Sequence, residues 1–190
     1  MAESSQGPIG RHFGEVRVPM LIAMVGLPGT GKSTLAEIIG ARLDATVISV
    51  DPIELSILKA GIDDDQPTGL AAYLVAETMA ERVLNAGGSV IVDAVNAVEP
   101  ARLLWRDLAA RAGVPLRMIE VMCSDDHLHR ERLEKRARDL PRVATWHAVE
   151  QSLEEYDAWS GPSAGMTRVT IDTVEPLGSN VDIALAFIGA

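Results

Sequence analysis

The feature that most constrains this fold is an apolar run followed at once by a glycine-rich segment and a helical pattern. Residues 20–25 (MLIAMV) are continuously apolar, as in a strand that is buried on both faces. Residues 26–33 (GLPGTGKS) follow directly. The next apolar residues fall on one helical stripe: Leu35, Ile38, Ile39 and Leu43. Since strands buried on both faces belong to parallel sheets covered by helices, this segment predicts an α/β fold.

The same alternation of strand and helix patterns continues to the end of the chain. Further strands are predicted at residues 46–50, 89–94, 116–123 and 168–173. Helices are predicted from Pro52 to about residue 60 and at about 70–85, 99–112, 126–139, 145–159 and 179–188. We expect a parallel sheet with helices on both faces, in one domain spanning residues 18–190. Residues 1–17, rich in glycine, serine and charge, read as a flexible leader.

Composition and charge exclude several classes of protein. With 47% hydrophobic and 23% charged residues, the balance is that of a globular protein, and no 18-residue apolar stretch predicts a membrane span. The only cysteine, Cys123, cannot form an internal disulfide, which favours a reducing compartment such as the cytoplasm. A net charge of -10 disfavours a long nucleic-acid partner, because binding to phosphates needs cations.

Residues 26–33, the phosphate loop, match the pattern G-x-x-x-x-G-K-[ST]. Glycines let successive backbone N–H groups converge on an anion, and the following helix adds its positive end. We expect Lys32 to contact the β- and γ-phosphates of ATP, and Ser33 to ligate Mg²⁺. The predicted nucleotide-binding residues are Gly26, Gly29, Thr30, Gly31, Lys32, Ser33 and Thr34. The alternative is a glycine-rich turn that binds nothing.

Two aspartates follow predicted strands, at the edge where ligands of open α/β sheets bind. Asp93 closes an apolar run in the Walker-B pattern, which predicts a carboxylate that holds Mg²⁺. Asp51 closes the second strand, where it can accept the proton of an attacking hydroxyl. Asp93 could instead cap a helix or form a turn, and Asp51 could instead cap a helix ahead of Pro52. Asn96 either orients substrate or a metal-bound water, or forms a turn.

Residues 127–142 concentrate arginines on a predicted helix. Arg132 and Arg136 share a face, and neither has a carboxylate four residues away. Because stacked like charges favour an anion between them, the pair predicts contacts to a transferring phosphoryl group, in a lid covering about residues 127–145. The alternative is a solvated helix with salt bridges along its surface. Arg130 and Arg138, each four residues from Glu134, favour this alternative.

The histidines show no metal-ligand spacing and are expected at the surface: His12, His127, His129 and His147. The tryptophans are expected to pack in the core or between helices: Trp105, Trp146 and Trp159. Trp146 and His147 could also line a substrate cleft.

Four segments in this order, GLPGTGKST, VISVD, VIVDAVN and RERLEKRAR, resemble the P-loop kinases related to zeta toxins and chloramphenicol phosphotransferase. The kinase domain of polynucleotide kinases belongs to the same group. The resemblance covers about residues 20–173. It implies a five-stranded parallel sheet in the order 2-3-1-4-5 with a helical lid. It also implies that Asp51 is the general base and that Arg132 and Arg136 are lid arginines.

The leading functional hypothesis is transfer of the γ-phosphate of ATP to a hydroxyl of a small molecule. Its pocket is expected between Asp51, residues 53–75 and the lid. A 5′-hydroxyl polynucleotide kinase is the second hypothesis, although residues 61–69 are acidic and no arginine closely follows Asp51. The third is a nucleotide-dependent switch without an acceptor substrate. The N-K-x-D guanine motif is absent, which argues against a GTPase switch.

Overall fold

The structure, a computed structural model, describes residues 18–63, 65–139 and 156–189. The strands are β1 (Leu21–Val25), β2 (Thr46–Ser49), β3 (Val90–Asp93), β4 (Leu116–Met122) and β5 (Arg168–Asp172). The helices are α1 (Lys32–Leu43), α2 (Val50–Lys59), α3 (Thr68–Asn85), α4 (Glu99–Ala112), α5 (Asp126–Asp139) and α6 (Leu177–Ile188). The predicted leader, the end of the predicted lid, Trp146 and His147 lie outside the described residues.

All five strands form one parallel sheet in the order β2-β3-β1-β4-β5, which confirms the predicted topology. β1 lies at the centre, where Met24 pairs with Asp93 of β3 and Val25 pairs with Glu120 of β4. Every residue of β1 is fully buried, as its continuous apolar run requires. The carboxyl ends of the strands therefore meet at one edge, with the phosphate loop leaving the middle strand.

Helices cover both faces of the sheet, so the three-layer prediction is also confirmed. Leu21, Ala23 and Val25 of β1 pack in a core that includes residues of α3 and α4. Ile22 and Met24 point to the opposite face and pack with residues of α1 and α6. This alternation follows from the two-residue period of a strand. Within the described ranges, no helix combines the length and apolar composition needed to cross a membrane.

The segment around Asp51 differs from its prediction. β2 ends at Ser49, and Val50 already begins α2, so Asp51 lies in the first helical turn rather than at a strand end. Pro52 is the third residue of the helix, where a missing backbone N–H leaves no helical hydrogen bond unmade. Asp51 also places negative charge at the positive end of the helix dipole.

The predicted helix at 145–159 is wrong over its last four residues, the only ones of that helix within the described ranges. Residues 156–159 are not helical, and a short 3-10 helix, Gly161–Ser163, follows them. Arg102 of α4, fully buried, donates to the carbonyl oxygens of Asp157 (2.5 Å) and Ala158 (3.4 Å). The Asp157 backbone N–H, which in a helix would donate to the carbonyl four residues earlier, donates instead to the Ala97 carbonyl at 3.0 Å, so tertiary contacts outweigh local helix propensity.

Candidate active site

The phosphate loop connects β1 to α1, and two of its glycines are required by close packing. A Cβ atom on Gly26 would lie 2.1 Å from the carbonyl oxygen of Val121. Gly29 has φ +80°, and a Cβ atom there would lie 2.7 Å from Cγ of Leu133 on α5. No larger residue fits at these positions without displacing the backbone of β4 or the Leu133 side chain of α5. The loop is thus seated between the central strands and the arginine-bearing helix.

Lys32 is buried at the start of α1, and its Nζ donates to the carbonyl oxygen of Leu27 at 2.7 Å. Burial lowers the pKa of Lys32 from 10.5 to about 8, because the ammonium loses solvent. The carboxylates of Asp93 and Asp51 oppose this shift, whereas Arg136 adds to it. The ammonium is therefore incompletely compensated, and a phosphate group fits this requirement.

Asp93 is buried at the end of β3 and accepts a hydrogen bond from the Ser49 hydroxyl at 3.1 Å. It caps no helix, since α4 begins only at Glu99. Ser33 lines the cleft from the first turn of α1. Among the described residues, no group of three or more His, Cys, Asp or Glu side chains could hold a metal alone. Ser33 and Asp93 are hard oxygen donors that suit Mg²⁺, which typically takes its remaining ligands from phosphates and water.

Asp51 and Arg136 form an ion pair, with 2.9 Å between Oδ2 of Asp51 and Nη2 of Arg136. The side chains are 45% and 29% exposed, so both remain accessible. Asp51 does not cap α2, because the N-cap position belongs to Ser49 and no side-chain capping bond is formed. Of the two sequence-based interpretations, the structure therefore excludes the helix cap.

Arg132 reaches the same cleft but has different partners. Its Nη1 donates to Oγ1 of Thr173 at 2.7 Å, and its Nη2 donates to the Thr173 carbonyl at 3.0 Å. Thr173 Oγ1 also donates to the carbonyl of Thr30 in the phosphate loop, at 2.8 Å. The predicted arginine pair is thus brought together with the loop, although only Arg136 has a carboxylate partner at hydrogen-bond distance.

The cleft beside the phosphate loop has a volume of about 650 Å³, within the range of small-molecule sites. Lys32, Arg132 and Arg136 supply positive charge to its wall, while Leu128 and Leu177 supply apolar surface. Cationic and apolar walls side by side fit a ligand that has both phosphates and a flat organic ring.

A family model described as an AAA domain, AAA_33, matches residues 21–159. The chain belongs to this family. No curated protein sequence matches it significantly.

Solved structures similar to this AAA domain include kinases. An inferred kinase from Chloroflexus aurantiacus has a TM-score of 0.71 at 23% identity, covering 90% of this chain and 97% of its own. A gluconokinase from Sinorhizobium meliloti has a TM-score of 0.62 at 20% identity, with 91% and 93% covered. The Mycobacterium tuberculosis APS kinase, in complex with AMPPNP and APS, has a TM-score of 0.63 at 18% identity, with 91% and 99% covered. At these identities, the likeness shows that the AAA domain has the P-loop kinase fold.

His129 was expected at the surface of this domain, and that expectation is wrong. Its side chain is buried, and Nε2 lies 2.6 Å from the carbonyl oxygen of Pro28 in the phosphate loop. Leu133, one turn later and also buried, packs against Gly29. The spacing of four residues between His129 and Leu133 was the available signal, because it places both on one face of α5.

Asn96 follows β3 with φ +49° and is fully buried, which favours a structural role over contact with substrate. Its Nδ2 donates to the carbonyl of Met24 at 2.7 Å, and its Oδ1 accepts from Nε1 of Trp105 at 2.8 Å. Trp105 is fully buried, as expected. The Asn96 backbone N–H donates to the hydroxyl of Tyr73 at 3.1 Å, and burial raises the pKa of Tyr73 to about 12. Both ends of the Asn96 amide are thus engaged inside the fold.

Proposed function

We propose that this AAA-family protein is an ATP-dependent phosphotransferase that moves the γ-phosphate of ATP to a hydroxyl group of a small molecule. The observation that carries the proposal is the ion pair between Asp51 and Arg136, at 2.9 Å, beside the Lys32 loop. A nucleotide switch requires the phosphate loop and the metal ligands, but it has no need of an accessible carboxylate held there by a lid arginine. A hydroxyl acceptor needs such a base.

The triphosphate binds along the backbone N–H groups of the phosphate loop and the Lys32 ammonium. Its charge compensates the buried ammonium, which raises the pKa of Lys32 back toward its ordinary value. Ser33 and Asp93 hold Mg²⁺, which neutralises charge on the phosphate oxygens when it is bound. Arg132 and Arg136 approach the same phosphates from α5, and both line this cleft.

Asp51 takes the proton of the acceptor hydroxyl as its oxygen attacks the γ-phosphorus. The bond from that phosphorus to the oxygen bridging the β- and γ-phosphates then breaks, and ADP leaves with the bond electrons. Arg132 and Arg136 stabilise the charge on the transferring phosphoryl oxygens. The products are ADP, a phosphoester of the acceptor and the proton that Asp51 releases to solvent.

The surroundings of Asp51 support a small acceptor over a polynucleotide. Glu54, one turn further along α2, accepts a hydrogen bond from the Thr68 hydroxyl at 2.8 Å. Asp63 and Asp65, between α2 and α3, add further carboxylates, and the net charge of the chain is -10. A polynucleotide backbone would meet repulsion here instead of the cations that it needs. Two of the similar structures, the gluconokinase and the APS kinase, are named for small-molecule substrates.

Within the P-loop kinases, we propose that this protein belongs with the zeta toxin and chloramphenicol phosphotransferase group. The support is the order of GLPGTGKST, VISVD, VIVDAVN and RERLEKRAR along the chain, together with the contact between the second and fourth of these segments through Asp51 and Arg136.

An ATP-consumption screen over sugars, nucleosides, antibiotics and DNA ends tests the proposal. We expect one class of small hydroxyl compound to accelerate ATP consumption. Asp51→Asn should lower that rate by roughly 100-fold or more while ATP still binds. Asp107→Asn, which removes an exposed carboxylate from α4, is the control and should retain the rate. Slow hydrolysis that no hydroxyl compound accelerates would contradict a kinase. Stimulation by DNA ends alone, lost steeply with salt, would instead favour a polynucleotide kinase.

A further inference from the structure

Arg136 faces two functional groups at once. Its guanidinium lines the cleft together with Lys32 and Ser33, and it also donates to Asp51 at 2.9 Å. Its charge contributes to the lowered pKa of Lys32, so the two cations are close enough to interact. One cation therefore lies between the proposed base and the proposed phosphate site.

A carboxylate that is paired with a guanidinium is a poor base, because the oxygen that must take a proton is already engaged. A phosphate group competes for the same guanidinium, since arginine binds phosphate and carboxylate with the same fork of N–H donors. Phosphate also carries more charge than the carboxylate. The arrival of a γ-phosphate beside Lys32 therefore favours a change of partner by Arg136.

We propose that Arg136 exchanges Asp51 for the γ-phosphate of ATP, so that ATP, unlike ADP, releases the Asp51 carboxylate for the acceptor. This inference rests on the proposed function, because it takes Asp51 as the base and the cleft as the ATP site. It makes Arg136 the residue that distinguishes the triphosphate from the diphosphate. It also implies that ATP binds before the acceptor can be deprotonated.

Arg132 provides the internal contrast. Both of its hydrogen bonds to Thr173 end on neutral oxygens, a hydroxyl and a backbone carbonyl. Binding of phosphate by Arg132 therefore breaks no ion pair with Asp51. Substitution of Arg132 should weaken nucleotide binding. It should not change the effect that Asp51→Asn has on nucleotide affinity.

Calorimetric titration with AMPPNP and with ADP, each with Mg²⁺, tests the exchange on the full chain. Asp51→Asn removes the charge that holds Arg136 and leaves only a neutral amide oxygen as its acceptor, so AMPPNP should bind roughly two- to fivefold more tightly, as expected for loss of one partly exposed ion pair. ADP affinity should stay unchanged. In the Arg136→Gln background, Asp51→Asn should no longer affect AMPPNP binding. In the Arg132→Gln background, its effect should persist.

Equal tightening for ADP and AMPPNP would overturn the proposal, because Asp51 would then act only as a nearby negative charge. Tightening that persists in Arg136→Gln, or no tightening at all, would overturn it too. Both side chains are partly exposed, so the variants should fold, which thermal unfolding checks. The readout requires neither acceptor nor turnover, so a failed exchange and a failed kinase assay are separate results.

Discussion

His129 Nε2 lies 2.6 Å from the carbonyl oxygen of Pro28, inside the contact between α5 and the phosphate loop. A carbonyl oxygen only accepts, so Nε2 carries the proton and donates it. The same helix carries Arg132 and Arg136, one and two turns beyond. The helix that presents these arginines is therefore attached to the loop that is proposed to hold the nucleotide.

Replacement of His129 by alanine should loosen this attachment. The buried Pro28 carbonyl loses its donor, so the free energy of unfolding should fall by about 1–3 kcal/mol, and AMPPNP should bind more weakly. Denaturant unfolding and calorimetry measure the two effects. His127→Ala is the matched control, because its side chain on the same helix is 84% exposed, whereas His129 is 5% exposed. Equal behaviour of the two variants would contradict a positioning role for His129.

Gly29→Ala should disrupt the contact from the side of the loop. The new methyl group would lie 2.7 Å from Cγ of Leu133, so either the loop or the buried Leu133 side chain must move, and nucleotide affinity should fall. Gly87→Ala is the matched control, because φ is +84° at Gly87 and +80° at Gly29, so the backbone strain is similar. A Cβ atom at Gly87 would meet nothing within 4 Å. Only the loop variant should lose affinity, and Leu133→Ala should partly restore it. Equal affinity in both glycine variants would refute this explanation.

The affinity for ATP should depend on pH through Lys32. The nucleotide-free ammonium has a pKa of about 8, lowered by burial, whereas bound phosphates require the charged form. Affinity should therefore fall as pH rises from 8 toward the ordinary value of 10.5, by at most roughly tenfold per pH unit. In Lys32→Arg, the guanidinium stays charged, so this slope should vanish. Titrations with AMPPNP across that range measure it, and an identical slope in both proteins would exclude Lys32 as its source.

Arg102 should be important for stability but not for chemistry. Its buried guanidinium donates to the carbonyls of Asn96 and Ala97 on one side, and to Asp157 and Ala158 on the other. Arg102→Leu leaves these carbonyls without their donor, so the free energy of unfolding should fall by at least about 3 kcal/mol. Arg106→Leu is the control on the same helix, because Arg106 is exposed and pairs with its neighbour Asp107. A similar small loss in both variants would rule out this role.

Local patterns were sufficient to predict the parallel sheet and the phosphate loop, whereas the strand order was implied by the resemblance to P-loop kinases. The apolar run of β1 is buried on both faces, and its direct connection to the loop leaves little choice of architecture. Helix α4 was predicted at its observed bounds, Glu99–Ala112, because Gly113, ahead of Pro115, marks its end. These signals depend only on nearby residues.

Contacts between distant segments could not be predicted from the sequence. The burial of His129 depends on Pro28, 101 residues earlier in the chain, and the non-helical Asp157 depends on Ala97. The pairing of Asp51 with Arg136 spans 85 residues. The sequence indicated Asp51 and Arg136 each as a functional residue, but only the fold brings their charges together.

The most direct test of the account follows the γ-phosphate itself. ATP labelled at the γ-position is incubated with the protein and the acceptor class found by the screen, and the products are separated by chromatography. Label should appear in a phosphoester of the acceptor with the wild-type protein, and should be nearly absent with Asp51→Asn. Label found only in inorganic phosphate, for every hydroxyl compound tested, would contradict phosphoryl transfer as the function of this site.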